Sequence, residues 1–173
     1  PAPRLSPTAV FRSILLPQTL IVLALLWLLG DQLTGDRGWR LHAPDLALLA
    51  QETFAVQLHL LTALSALLVA LFLLSGAKGT RVHRIVGWVW SGLMMTVALS
   101  SFFIMQINPG RMSWIHILSG YVAVSAPPGL WAARTHRVTA HQRIMVGLVV
   151  GGLIIAGAFT FAPGRLMWRM FFG

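Results

Sequence analysis

The chain has 173 residues, 57% of them hydrophobic and only 10% charged, with a formal charge of +9. Soluble domains carry about 25% charged residues, so this composition excludes a water-soluble globular fold. Cysteine is absent, which excludes disulfides, thiolate-held iron–sulfur clusters and haem attached through C-x-x-C-H.

The apolar runs are long enough to cross a bilayer, which takes about 20 residues. We expect an all-α membrane protein with five transmembrane helices in one integral membrane domain over residues 1–173. The second to fifth helices form a four-helix core, and the first is peripheral. The first spans residues 8–30, with Ser6 as cap, Pro7 at the first helical position and Pro17 as a kink. It is too long for a cleaved signal peptide. A polar loop from Gly30 to Gln51 follows, and it or its edge holds all the acids: Asp31, Asp36, Asp45 and Glu52.

The second helix is expected over residues 46–75, capped by Asp45, with its apolar body from Thr53. After the tight connection Gly76–Gly79, Thr80 caps a third helix over 81–107, which the turn Asn108-Pro109-Gly110 ends. The fourth covers 113–133, and Pro127-Pro128 should kink or fray its end. A short basic loop leads to Thr139, the expected cap of a fifth helix over 140–162, which Pro163-Gly164 terminates. Residues 165–173 read as an interfacial basic-aromatic tail.

Charge orients these spans. Arg4, Arg12, Lys78, Arg81, Arg84, Arg134, Arg137 and Arg143 fall on one side. Arg37, Arg40, Arg111, Arg165, Arg169 and the four acids fall on the other. The more basic side is expected to be cytoplasmic, which puts the N-terminus in the cytoplasm and the protein in a bacterial inner membrane. Because the cations sit in short connections between apolar runs, they mark topology and not a nucleic-acid footprint.

Four histidines lie on the four core helices: His59, His83, His116 and His141. Three have a small residue one turn later, in the pairs His59 and Ala63, His83 and Gly87, His116 and Gly120. With alternating helix direction, His59 and His116 share the outer level, and His83 and His141 share the inner one. Each pair lies on diagonal helices of the core. Two bis-histidine b haems need this arrangement, with an axial imidazole from each of two facing helices. Gly87, Gly120 and Ala63 would make room for a flat porphyrin, although close helix packing is an equally physical use for them. Arg84, Arg143 and Arg81 are placed for inner propionates, and Arg111 or Arg40 for outer ones.

A single histidine in a membrane helix is more often an interfacial anchor or an interhelical hydrogen bond. What sets these four apart is the pairing by depth. His42 and His136 read as solvent-facing loop residues. The tryptophans cluster near helix ends as an aromatic belt. Gly147, Gly151 and Gly152 read as packing positions, and the methionines as core filler. No acid lies within a span, which disfavours a carboxylate proton relay or an ion-coupled transporter.

The segments H-R-I-V-G-W-V-W, H-I-L-S-G-Y and H-R-V-T-A-H-Q-R-I-M resemble a bacterial family of small membrane proteins of unknown function, over about Val56 to Ala162. The histidines on consecutive helices also resemble the cytochrome b561 type, a diheme transmembrane electron carrier. The resemblance implies that His59 and His116 hold one haem and His83 and His141 the other. The chain departs from that type in having five expected helices instead of six and shallower inner histidines. The expected function is electron transfer across the membrane through two b haems about 20 Å apart along the membrane normal. Quinol, with quinone as a further cofactor, or a redox protein would exchange the electrons. The alternative is a haem-free accessory subunit of a larger respiratory or photosynthetic complex. A lipid-modifying enzyme lacks both nucleophile and carboxylate signals.

Overall fold

The computed structural model describes residues 41–104 and 114–173. The expected helix over 8–30, the Asn108-Pro109-Gly110 turn, Arg40 and Arg111 lie outside the described residues. Within them the secondary structure is helical throughout, with no strand.

The expected second helix is two. Asp45 does act as a cap, its carboxylate accepting from the Ala47 amide at 2.9 Å, but it starts only the short α1, Leu46–Ala50. The polar residues Gln51, Glu52 and Thr53 break the run. Thr53 is extended and stands at the N-cap of α2, Phe54–Ser75. The Gln57 side-chain amide donates to the carbonyls of Leu49, Ala50 and Glu52. It thereby satisfies acceptors that the end of α1 leaves without intrahelical partners.

At the far end of α2 the Lys78 ammonium donates to the carbonyls of Leu73, Leu74 and Gly76. A cation on the last carbonyls of a helix is the favourable polarity. Gly79 takes φ +78°, a left-handed conformation that glycine adopts without a steric penalty. Thr80 caps α3, Arg81–Ser101, by accepting from the His83 amide at 3.1 Å, as expected from sequence. The helix ends at Ser101, and residues 105–107 of the expected helix lie outside the described residues. The Ser100 and Ser101 hydroxyls turn back onto the carbonyls of Val97 and Ala98, a local alternative to further helix.

Helix α4, Trp114–Arg134, passes through Pro127 and Pro128 and remains helical beyond them. Helix α5 covers Val138–Phe159. Arg137, and not Thr139, takes its N-cap position, and it makes no side-chain cap bond. Its middle, Leu148–Ile155, is wound as π-helix. The chain closes with α6, Leu166–Phe172.

Three of these helices, α2, α3 and α5, are long and apolar enough to cross a membrane. The chain is therefore an all-helical membrane protein. α4 has similar length but is diluted by Ser119, Ser125 and the two prolines, and it is not among the three.

The long helices pack in sequence, α2 on α3, α3 on α4 and α4 on α5, and the π stretch of α5 touches both α4 and α2. Ala66, Trp90, Met94, Val122 and Leu148 meet in the shared core. The buried Trp90 indole N–H donates to the Ala66 carbonyl at 3.0 Å and ties α3 to α2. Glycine lets two crossings close up. A Cβ on Gly152 would stand 2.7 Å from Val122 and 3.1 Å from Met94, and one on Gly129 would meet Met145 and, at 2.8 Å, Ile144.

The packing defines two ends. One holds the α2–α3 and α4–α5 connections with Lys78, Arg81, Arg84, Arg134, Arg137 and Arg143, and no acid among the described residues. At the other, α6 docks on the segment before α2. There the His42 amide donates to the Phe171 carbonyl and the Asp45 amide to that of Met170, both at 3.0 Å, and Arg169 pairs with Glu52 at 3.3 Å. The tail expected at the interface is thus a helix fastened to α1.

Candidate functional site

The first turns of α3 and α5 bring His83 and His141 together. Their ring centres lie 6.5 Å apart with the planes at 86°. Both rings are half-buried. Nδ1 of His141 lies 2.9 Å from the carbonyl of Gly129 on α4. A carbonyl only accepts, so Nδ1 donates here, and in the neutral ring Nε2 is the nitrogen with the lone pair. Such a backbone acceptor behind an imidazole fixes the ring orientation of metal-ligating histidines.

Gly87 lies one turn after His83, and a Cβ built there meets no atom within 4 Å. The same holds for Gly120, one turn after His116. Ala63 differs, since it packs against the core.

The second pair is arranged otherwise. His59 turns to α3, with Nδ1 3.0 Å from the Val97 carbonyl and 3.1 Å from the Ser100 hydroxyl. In the neutral ring this again leaves Nε2 as the nitrogen with the lone pair. His116, on α4, is buried at 5% exposure, with its ring centre 5.9 Å from that of Phe102. Between these two histidines the Ser101 and Ser119 hydroxyls are hydrogen-bonded. His59 with Ser100, and Ser101 with Ser119, form two polar contacts near the end of α3, and no ring contact is described between His59 and His116.

Arg84 and Arg143 are exposed at the end that carries His83 and His141. Arg111 lies outside the described residues. His42 is exposed, with Nδ1 2.7 Å from the Ala43 carbonyl and Nε2 3.2 Å from that of Gly173. His136 is exposed in the α4–α5 turn at φ +56°. Neither belongs to the histidine pairs. Sequence reasoning missed Gly129, because Pro-Pro-Gly reads as a helix end, and it missed the serine contacts, although the Ser100-Ser101 doublet inside an apolar run was a visible signal.

Two imidazoles that held one metal between them, with bonds of about 2 Å, would need their ring centres about 6 Å apart. The His83–His141 separation suits that geometry. Among the described residues no group of three or more His, Cys, Asp or Glu could hold a metal ion. A histidine pair alone suits a metal whose remaining ligands come from a macrocycle.

Comparison of the chain with protein-family models, with curated proteins and with solved structures gives no match.

Proposed function

We propose that the protein transfers electrons across a membrane through b-type haem held by histidine pairs. The observation that carries the reading is the approach of His83 and His141 to 6.5 Å, with Gly87 leaving open space one turn away. A bound haem supplies reversible one-electron chemistry, and the chain's part is to hold it and shield it. In this reading His83 and His141 would hold the haem of the inner site, and the Gly129 carbonyl would aim His141. Arg84 and Arg143 stand where propionates would meet the polar boundary. His59 and His116 are the donors of a second, outer site, with Gly120 and Ala63 as its small residues and Arg111 as its propionate partner.

The two levels are well separated. His59 leans on Val97, fourteen residues along α3 from His83. At 1.5 Å per residue that is about 21 Å, most of a hydrocarbon core of about 30 Å. Electrons would enter from quinol or a redox protein at one face and leave at the other. In this reading the host membrane is a bacterial inner membrane, and the excess of Lys and Arg at the His83 end supports a cytoplasmic placement of that end.

The test is a reduced-minus-oxidised visible spectrum of the full chain, purified after expression with ample haem. A reducible b-type α band is the expected result. Its absence in folded protein would overturn the reading and leave a haem-free accessory subunit of a larger complex.

A further inference from the structure

The basic end carries a feature that electron transfer does not use. The Arg134 guanidinium of α4 lies over the Trp88 ring of α3, 5.1 Å from its centre. Trp88 belongs to an exposed stripe of α3 made with Ile85 and Arg81, which lie one and two turns before it on the same face. Trp131, one turn before Arg134, is likewise exposed. The Arg134 guanidinium of α4 therefore reaches the exposed apolar, aromatic stripe of α3 that begins at Arg81. Ile85, Trp88 and Trp131 are 55%, 52% and 64% exposed.

Nothing described neutralises these cations. The described acids, Asp45 and Glu52, lie at the opposite end, where they cap α1 and pair with Arg169. In a membrane the exposed stripe faces acyl chains, and tryptophan sits at headgroup depth. Arginine presents a planar fork of donors that matches phosphate oxygens. Basic sites between membrane helices take anionic headgroups for the same reasons.

We propose that the α3–α4 groove binds an anionic phospholipid. Its phosphodiester lies between Arg81 and Arg134, and its acyl chains run along Ile85, Trp88 and Trp131. A zwitterionic lipid brings its own cation toward two guanidiniums and is disfavoured. A free phosphate gains nothing from the apolar stripe.

Native mass spectrometry of the full chain in neutral detergent tests this, with phosphatidylglycerol and phosphatidylcholine of matched acyl chains as probes. Phosphatidylglycerol should be retained in preference. Arg81→Gln and Arg134→Gln should each lower its binding by about fivefold, the equivalent of roughly 1 kcal/mol per cation. Arg137→Gln removes the same charge from the same end but outside the groove, and it should leave retention unchanged. Equal loss in all three variants would overturn the site in favour of a diffuse positive field, and so would the absence of any lipid preference. Excess inorganic phosphate should fail to displace the lipid. Displacement at concentrations equal to the lipid's would make this a free-anion site and refute the acyl-chain half of the proposal. Circular dichroism of the variants separates lost binding from lost folding.

Discussion

At the scale of single residues, the histidine level assignments make separable predictions. His141→Ala removes one axial imidazole and one hydrogen bond to Gly129. If each pair holds one haem, as proposed, it should reduce the haem content of purified protein by about half. His59→Ala should remove the other half, and loss of all haem from either folded variant would count against independent sites. The glycines divide in the same way. Gly87→Ala meets no neighbour, and alanine exceeds glycine in helix propensity by about 1 kcal/mol, so the melting temperature should not fall. Gly129→Ala puts a methyl against Ile144 and Met145 and should cost about 1–3 kcal/mol of stability in a detergent melt. Gly87→Leu should stay folded and lose haem, and a haem-loaded Gly87→Leu protein would show that the open space there has no role. These contrasts also mark how far residues could be read in advance. The sequence singles out Gly87 by its place one turn after a histidine and gives no such signal for Gly129, because the close approach there lies in what crosses the glycine. The meeting of His83 with His141 could be inferred because both lie in the first turn of helices that start at the same end. That His59 would turn to the Val97 carbonyl could not, because no spacing rule assigns a buried imidazole its acceptor.

At the scale of elements, hydrophobic periodicity located the long helices and caps located some starts. Thr80 and Asp45 behave as their chemistry predicts, since both offer a side-chain oxygen to a first-turn amide. Two of the misplaced boundaries share one cause, which is competition from hydrogen bonds that ignore hydropathy. Gln57 stabilises a break before α2, and Ser100 with Ser101 stabilises an early end to α3. The π winding of Leu148–Ile155 is invisible to a 3.6-residue pattern, because every residue there is apolar or glycine. Lys78 offers a direct check on the tertiary role of a loop cation. With Lys78→Gln, the carbonyls of Leu73, Leu74 and Gly76 lose an ammonium donor. Hydrogen exchange in the last turn of α2 should then accelerate while α5 is unaffected. Unchanged exchange at both would show that water closes this helix end as well as lysine does.

At the scale of the whole molecule, the described residues are electrically polarised along the helix axes. Six cations and no described acid occupy the end with His83 and His141, whereas Asp45 and Glu52 sit with Arg165 and Arg169 at the other. The absence of cysteine from the whole chain makes the consequence easy to measure. Ala77→Cys places a thiol on the exposed α2–α3 connection, and Gln51→Cys places one on the exposed segment between α1 and α2. Since α2 separates the two positions and is long enough to cross a bilayer, they should lie on opposite sides of the membrane. The positive-inside bias assigns Ala77 to the cytoplasm. A membrane-impermeant maleimide should therefore label Gln51→Cys in intact bacterial cells with a permeable outer envelope, and Ala77→Cys only after the inner membrane is breached. Labelling of both without lysis would mean that α2 does not span. The reverse pattern would invert the chain, and the His83–His141 pair would then face the compartment from which periplasmic partners, and not cytoplasmic ones, exchange electrons.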